Sequence, residues 1–180
     1  MSEGQNKRVV EFSDVVDADS AGRLSRDLFA LDQADHETPI ELHIESPGGV
    51  VTDALGVVNV INTIQAPVHT LCNTFCAGSA ALIYASGEQG HRTATPGALF
   101  VFPDVGITGG GIKVGIFGKL LEHAEMDLRQ AAQDAVTAVF AAATGHSEQE
   151  AADLFGGGKA YSADQARQAG LVDQVKPGLF

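Results

Sequence analysis

Ile40-Glu41-Leu42-His43-Ile44-Glu45-Ser46-Pro47-Gly48-Gly49-Val50-Val51 is the stretch on which the fold turns. Its first five residues alternate apolar and polar, the period of a half-buried strand. Ser46-Pro47-Gly48-Gly49 breaks that strand sharply, since proline lacks a backbone donor and glycine tolerates conformations other residues avoid. Val51, Leu55, Val58, Ile61 and Ile64 then recur at helical spacing. A strand, a tight turn and an amphipathic helix are predicted from Ile40 to Ile64.

On the amino-terminal side, Val9-Val10-Glu11-Phe12 reads as a short strand. Asp19-Ser20 offers caps for a helix carrying Leu24, Leu28 and Leu31, which Pro39 closes off. On the other side, Val68 to Cys72 is a strand and Gly78 to Ala85 a short apolar helix. Arg92 to Thr95 and Leu99 to Phe102 are further strands, parted by Pro96-Gly97. Beyond the glycine-rich Gly106 to Gly111, a long helix carries Phe117, Leu120, Leu121, Ala124, Leu128, Ala132, Ala135, Val139 and Phe140 on one stripe, up to Thr144-Gly145. Ser147 with Glu150 and Ser162 with Gln165 are capping-box patterns, Gly170 suits a left-handed helix stop, and Leu171 to Val175 forms a closing strand. Strands alternating with helices imply crossover connections and a largely parallel sheet.

The chain has 180 residues, without repeats or low-complexity linkers, and is read as one domain from 1 to 180. Hydrophobic residues make up 44%, which suits a packed core rather than disorder. The net charge of −12 would repel nucleic acid and anionic membrane surfaces, so neither is expected as a partner. The polar start from Met1 to Lys7 lacks the apolar stretch of a signal peptide, and no apolar run is long enough to span a bilayer. A cytoplasmic location is the expectation. Two cysteines, Cys72 and Cys76, are too sparse for a disulfide framework and poorly spaced for zinc. His69, His91 and His123 are scattered, so no metal site is expected, and no cofactor.

The order strand, Ser46-Pro47-Gly48-Gly49, helix, Pro67-Val68-His69-Thr70, small-residue turn resembles the proteolytic subunits of the Clp protease family, within the broader crotonase-like group. Gly87, Gly90, Arg92 and Pro96 resemble that family's middle segment. Thr144-Gly145, Tyr161-Ser162-Ala163, Ala166 and Gly170-Leu171-Val172-Asp173 resemble its closing one. The resemblance spans roughly residues 7 to 176. It implies an α/β ββα spiral with a long protruding handle helix, and self-association into a ring, here expected through the stripe from Phe117 to Phe140.

The resemblance also locates the family's catalytic positions. The nucleophilic serine falls on Gly78, the histidine on Pro103, and the aspartate, counted back from Ser162, on Gly158. None can perform that role: glycine has no hydroxyl or carboxylate, and proline no ionisable side chain. The family's two oxyanion-hole donors are main-chain amides, here those of Gly49 and Ser79, which survive side-chain loss. Two further departures are apparent. Only seven residues precede Arg8, where ring-docking relatives carry axial loops, so docking on an ATPase unfoldase is not expected. The stretch from Pro103 to Thr144 is several residues longer than the family's handle.

Three readings of function follow. The first is a repurposed enzyme using the Gly49 and Ser79 amides on a small acyl or carbonyl substrate, with Asp104 as a candidate carboxylate base. The second is a catalytically inactive structural or regulatory subunit of a Clp-like ring. The third is a divergent peptidase with Ser79 as nucleophile and Lys113 or Lys119 as its base, in the manner of serine-lysine relatives of this fold. The corresponding bland readings are also open: turn glycines, a small residue at a helix start, and a solvated aspartate at a strand end.

Overall fold

Alternating burial along short strands generates a parallel sheet with one dry face. The computed structural model describes residues 8–103 and 118–177, with side chains from Arg129 onward in the helix that opens at Gly118. β1 (Val9–Phe12), β2 (Ile40–Ile44), β3 (Val68–Cys72), β5 (Arg92–Ala94) and β8 (Gln174–Val175) pair side by side in the order β1-β2-β3-β5-β8, every pair parallel. In β2 and β3, Ile40, Leu42, Ile44, Val68, Thr70 and Cys72 point to the core, while Glu41, His43, His69 and Leu71 point out. A second sheet, β4-β6-β7, pairs β4 (Phe75–Ala77) parallel to β6 (Leu99–Val101), and β6 antiparallel to β7 (Ala160–Ser162).

Parallel neighbours need crossovers, and the helices supply them. α1 (Ala18–Ala34) joins β1 to β2, and α2 (Val51–Thr63) joins β2 to β3. α3 (Ala80–Ala85) follows β4, and all six of its residues are buried. α4 (Gly118–Thr144) has 27 residues, about 40 Å at 1.5 Å per residue. α5 (Glu148–Phe155) and α6 (Ala163–Gln168) complete the set. One buried hydrophobic cluster runs from Val10 to Val172.

Two buried polar groups tie the layers together. Asp32 of α1 accepts from the amides of Gln65 and Ala66 at 2.9 and 2.8 Å, fixing the turn into β3. Arg92 of β5 is 1% exposed and fully engaged. It donates to both Asp173 oxygens and to the carbonyls of Ala143 and Gly170, joining β5 to the end of α4 and to the segment before β8. Burial pushes the Asp173 carboxyl up. The bonds and charge of Arg92 outweigh that and hold it below its ordinary value.

The structure departs from the sequence expectations at element ends. The cap of α1 is Asp17, not Asp19-Ser20; Ser20 is the third residue of its capping box. The apolar helix begins at Ala80 rather than Gly78, because Gly78 takes φ +53 in the preceding turn. The closing strand is only Gln174–Val175, since the main-chain amides of Leu171 and Val172 bond back to Ala166. β4 and β7, three residues each, carry too little pattern to read in advance. The capping boxes at Ser147 and Ser162, and the left-handed Gly170, stand as expected. Gly106 to Gly111 lies outside the described residues. Of the expected long-helix stripe, Phe140 is buried, its ring packing against Phe102 and Phe155 at 5.6 and 5.0 Å, while Ala132, Ala135 and Val139 are half-buried.

Candidate active site

The Ser46-Pro47-Gly48-Gly49 turn is built by its own residues. Ser46 is fully buried; its hydroxyl donates to the Asp14 carbonyl at 2.6 Å and accepts from the Gly48 amide at 3.1 Å. The turn is then clamped on both sides. Val16 donates to the Gly48 carbonyl and accepts from the Val50 amide, which leaves the intervening Gly49 amide facing away from Val16. On the opposite side, Ala77 donates to the Ser46 carbonyl at 2.9 Å. Gly48 is forced by this clamp. It sits at φ +81, and a Cβ there would lie 2.3 Å from the Ala77 carbonyl oxygen and 2.8 Å from the Ser79 amide nitrogen.

That close approach seats the Ser46–Gly49 turn against the start of α3. β4, Gly78 and α3 form a strand-to-helix elbow, and the Gly78 amide donates to the Val101 carbonyl at 2.7 Å. Among the described residues, neither the Gly49 amide nor the Ser79 amide donates to another main-chain group. Two unpaired donors on facing turns are the raw material of an oxyanion hole.

Gly78, Pro103 and Gly158 follow or precede the ends of the second sheet's three strands. β4 pairs Ala77 with Val101, so Gly78 lies beside Phe102 and the strand end that leads to Pro103. β6 and β7 pair Leu99, Phe100 and Val101 with Ser162, Tyr161 and Ala160, and the next bond runs from the Phe102 amide to the Lys159 carbonyl. Pro103 follows and Gly158 precedes that last bond by one residue, and Gly158 is itself in a left-handed conformation.

The other candidates separate. The Ser79 hydroxyl is buried and has no hydrogen-bond partner among the described residues. Asp104 and Lys113 lie outside the described residues, as do the side chains of Lys119 and His123. Cys72 and Cys76 are buried free thiols; burial pushes Cys72 up to about 12 and Cys76 well above its ordinary value. His69 and His91, scattered in sequence, stack face to face with ring centroids 4.0 Å apart. They are 22 positions apart, so only the β3–β5 pairing together with the turn before β5 brings them together. Among the described residues, no helix is long and apolar enough to cross a membrane.

The fold is that of a crotonase-like α/β protein, in which a strand–turn–helix packs its turn at Gly48 against a strand–elbow–helix at Ala77 and Ser79. Within that class, the Clp protease family model matches residues 1–177. The chain is also 31% identical over 175 residues to the ATP-dependent Clp protease proteolytic subunit 1 of Streptomyces avermitilis, covering 96% of this chain and 77% of that protein. The chain belongs to the Clp protease family.

Proposed function

We propose that the chain is a Clp proteolytic subunit-like protein that works without a Ser-His-Asp triad and uses the Gly49 and Ser79 amides to stabilise a negative oxygen on a small acyl or carbonyl substrate. The observation that supports this reading is the content of the three positions that the family resemblance assigns to the triad: Gly78, Pro103 and Gly158 supply no hydroxyl, imidazole or carboxylate. The amides support the catalytic half of the reading. They need no side chain, and the Ser46 hydroxyl and the Gly48 close approach hold their turns together. Asp104, next to Pro103, is the candidate base on this reading. The chain is expected to assemble as a ring, as family proteolytic subunits generally do.

A second reading has the same three residues in its favour: an inactive subunit whose contribution to a Clp-like ring is structural. An exposed apolar face on the second sheet, formed by Phe75, Leu99 and Val101, gives it a surface for self-association.

A fluorophosphonate probe tests the absent triad. Wild-type protein should label at background, and Gly78→Ser alone should remain there. Gly78→Ser with Pro103→His and Gly158→Asp should raise labelling at least about tenfold, because the three side chains act as a unit. Wild-type labelling that Ser79→Ala abolishes would overturn the proposal in favour of a Ser79–lysine peptidase. Titration with a short-chain acyl thioester separates the two remaining readings. Movement of the Gly49 and Ser79 amide resonances supports the enzyme. Silence at both amides, with no turnover and copurification of an intact-triad subunit, supports the inert partner.

A further inference from the structure

On the outer face of the main sheet, away from Gly49 and Ser79, three ligand-type side chains converge. Glu88 Oε2 lies 3.0 Å from His69 Nε2 and 3.9 Å from His91 Nε2, and the three donor atoms all fall within 4.8 Å of one another. The imidazoles are stacked at 4.0 Å and nearly parallel, 7° apart, so both rings turn the same nitrogen toward one carboxylate. Among the described residues, no lysine or arginine forms an ion pair with Glu88.

The backbone that presents these groups is held before any ligand arrives. His69 is the second residue of β3, paired with Glu41 of β2, one position before the β3–β5 pairing begins at Thr70. The turn carrying Glu88 and His91 is fastened to β3 by the Glu88 amide, which donates to the Val68 carbonyl at 2.7 Å. It is closed by the His91 amide donating to the Glu88 carbonyl at 3.0 Å. Its far end is pinned by the Gly90 amide donating to Asp173 at 2.8 Å and by Gln174 Nε2 donating to the Gly90 carbonyl at 2.7 Å. Gly87 starts the turn so close to β3 that a Cβ would lie 2.6 Å from Thr70 Oγ1. The three side chains are half-buried or exposed, and the two imidazoles border a groove of about 400 Å³ that His43, Thr93, Gln174 and Lys176 also line. Solvent can therefore reach an ion held there.

We propose that His69, Glu88 and His91 bind one divalent first-row transition metal ion, of the zinc type. Two imidazole nitrogens and one carboxylate oxygen are the donor set such ions take, with water completing the coordination. Bonds of about 2.0–2.1 Å in a tetrahedral site place neighbouring donors about 3.3 Å apart. The separations of Glu88 Oε2 from the two ring nitrogens, 3.0 and 3.9 Å, bracket that value, and the rings, now parallel at 7°, would have to rotate out of their stack for both lone pairs to meet one ion. The ion would tie β3 to the turn before β5 through side chains, where main-chain bonds already join them.

Titration of the metal-free full chain with Zn²⁺, followed calorimetrically, tests the site. One ion per chain is expected, with affinity lowered at least about tenfold by His69→Ala, His91→Ala or Glu88→Gln, since each removes a bond to the metal. Histidine ring NMR gives an independent readout in the unmutated protein: the His69 and His91 resonances should move with Zn²⁺. Unfolding midpoints of the metal-free variants check that they fold. Zn²⁺ bound equally well by the His69→Ala/His91→Ala protein overturns the assignment. So does movement of His43 in their place, which would put the ion on His43 with Glu11 and Glu41.

Discussion

Replacing Arg92 or Asp173 tests how the carboxy-terminal segment is held. Arg92→Met keeps an unbranched apolar chain in place of the arginine stem and deletes its guanidinium charge and four side-chain bonds. Asp173, 17% exposed, retains two main-chain donors, the amides of Gly90 and Arg92 at 2.8 and 2.9 Å. Asp173→Ala leaves the harsher residue: a guanidinium 1% exposed with no charge partner. Breaking one side of a buried pair costs about 3–5 kcal/mol, so Arg92→Met belongs near the lower figure and Asp173→Ala near the upper. Either is a large share of a total stability of about 5–15 kcal/mol. Urea unfolding reads the cost as a lower midpoint at unchanged slope. The pH dependence has a defined sign. The folded Asp173 carboxyl is held below its ordinary value, so its contribution is full above the unfolded-state value of about 3.9 and fades as pH falls through the folded one. The wild type should therefore lose more stability than Asp173→Ala on acidification below about pH 4. Costs under about 1 kcal/mol for both variants, or Arg92→Met costing clearly more than Asp173→Ala, would refute this account.

Two further outcomes are expected. Light scattering should give a mass that is a multiple of 18.7 kDa, and Leu99→Asp, which charges the exposed face shared with Phe75 and Val101, should lower it toward the single chain; a wild-type monomer, or a variant of unchanged mass, counts against a ring that uses this face. Iodoacetamide at about pH 8, where an exposed thiol of pKa about 8.5 reacts readily, should leave Cys72 and Cys76 unmodified until urea unfolds the chain, because burial holds both thiols protonated. Native labelling at the rate of a free thiol would show that one of them is reachable.

Local pattern was enough for much of this protein. β1, β2 and β3 start and stop where alternation and proline placed them, and the boxes at Ser147 and Ser162 close as their spacing requires, because period and capping are nearest-neighbour physics. Ser46-Pro47-Gly48-Gly49 marks a sharp turn in any context, although only the structure explains its serine, which bonds to Asp14, 32 residues away. Long-range pairing decided the rest. β4 and β7 exist because β6 offers them a ladder on either side; three residues alone carry no readable period. Gly78 belongs to an elbow and not to a helix because its amide reaches Val101, a bond no local propensity encodes. The β3–β5 pairing brings His69 to His91. Such meetings depend on which strands become neighbours, a property of the whole chain's packing that no window of sequence contains.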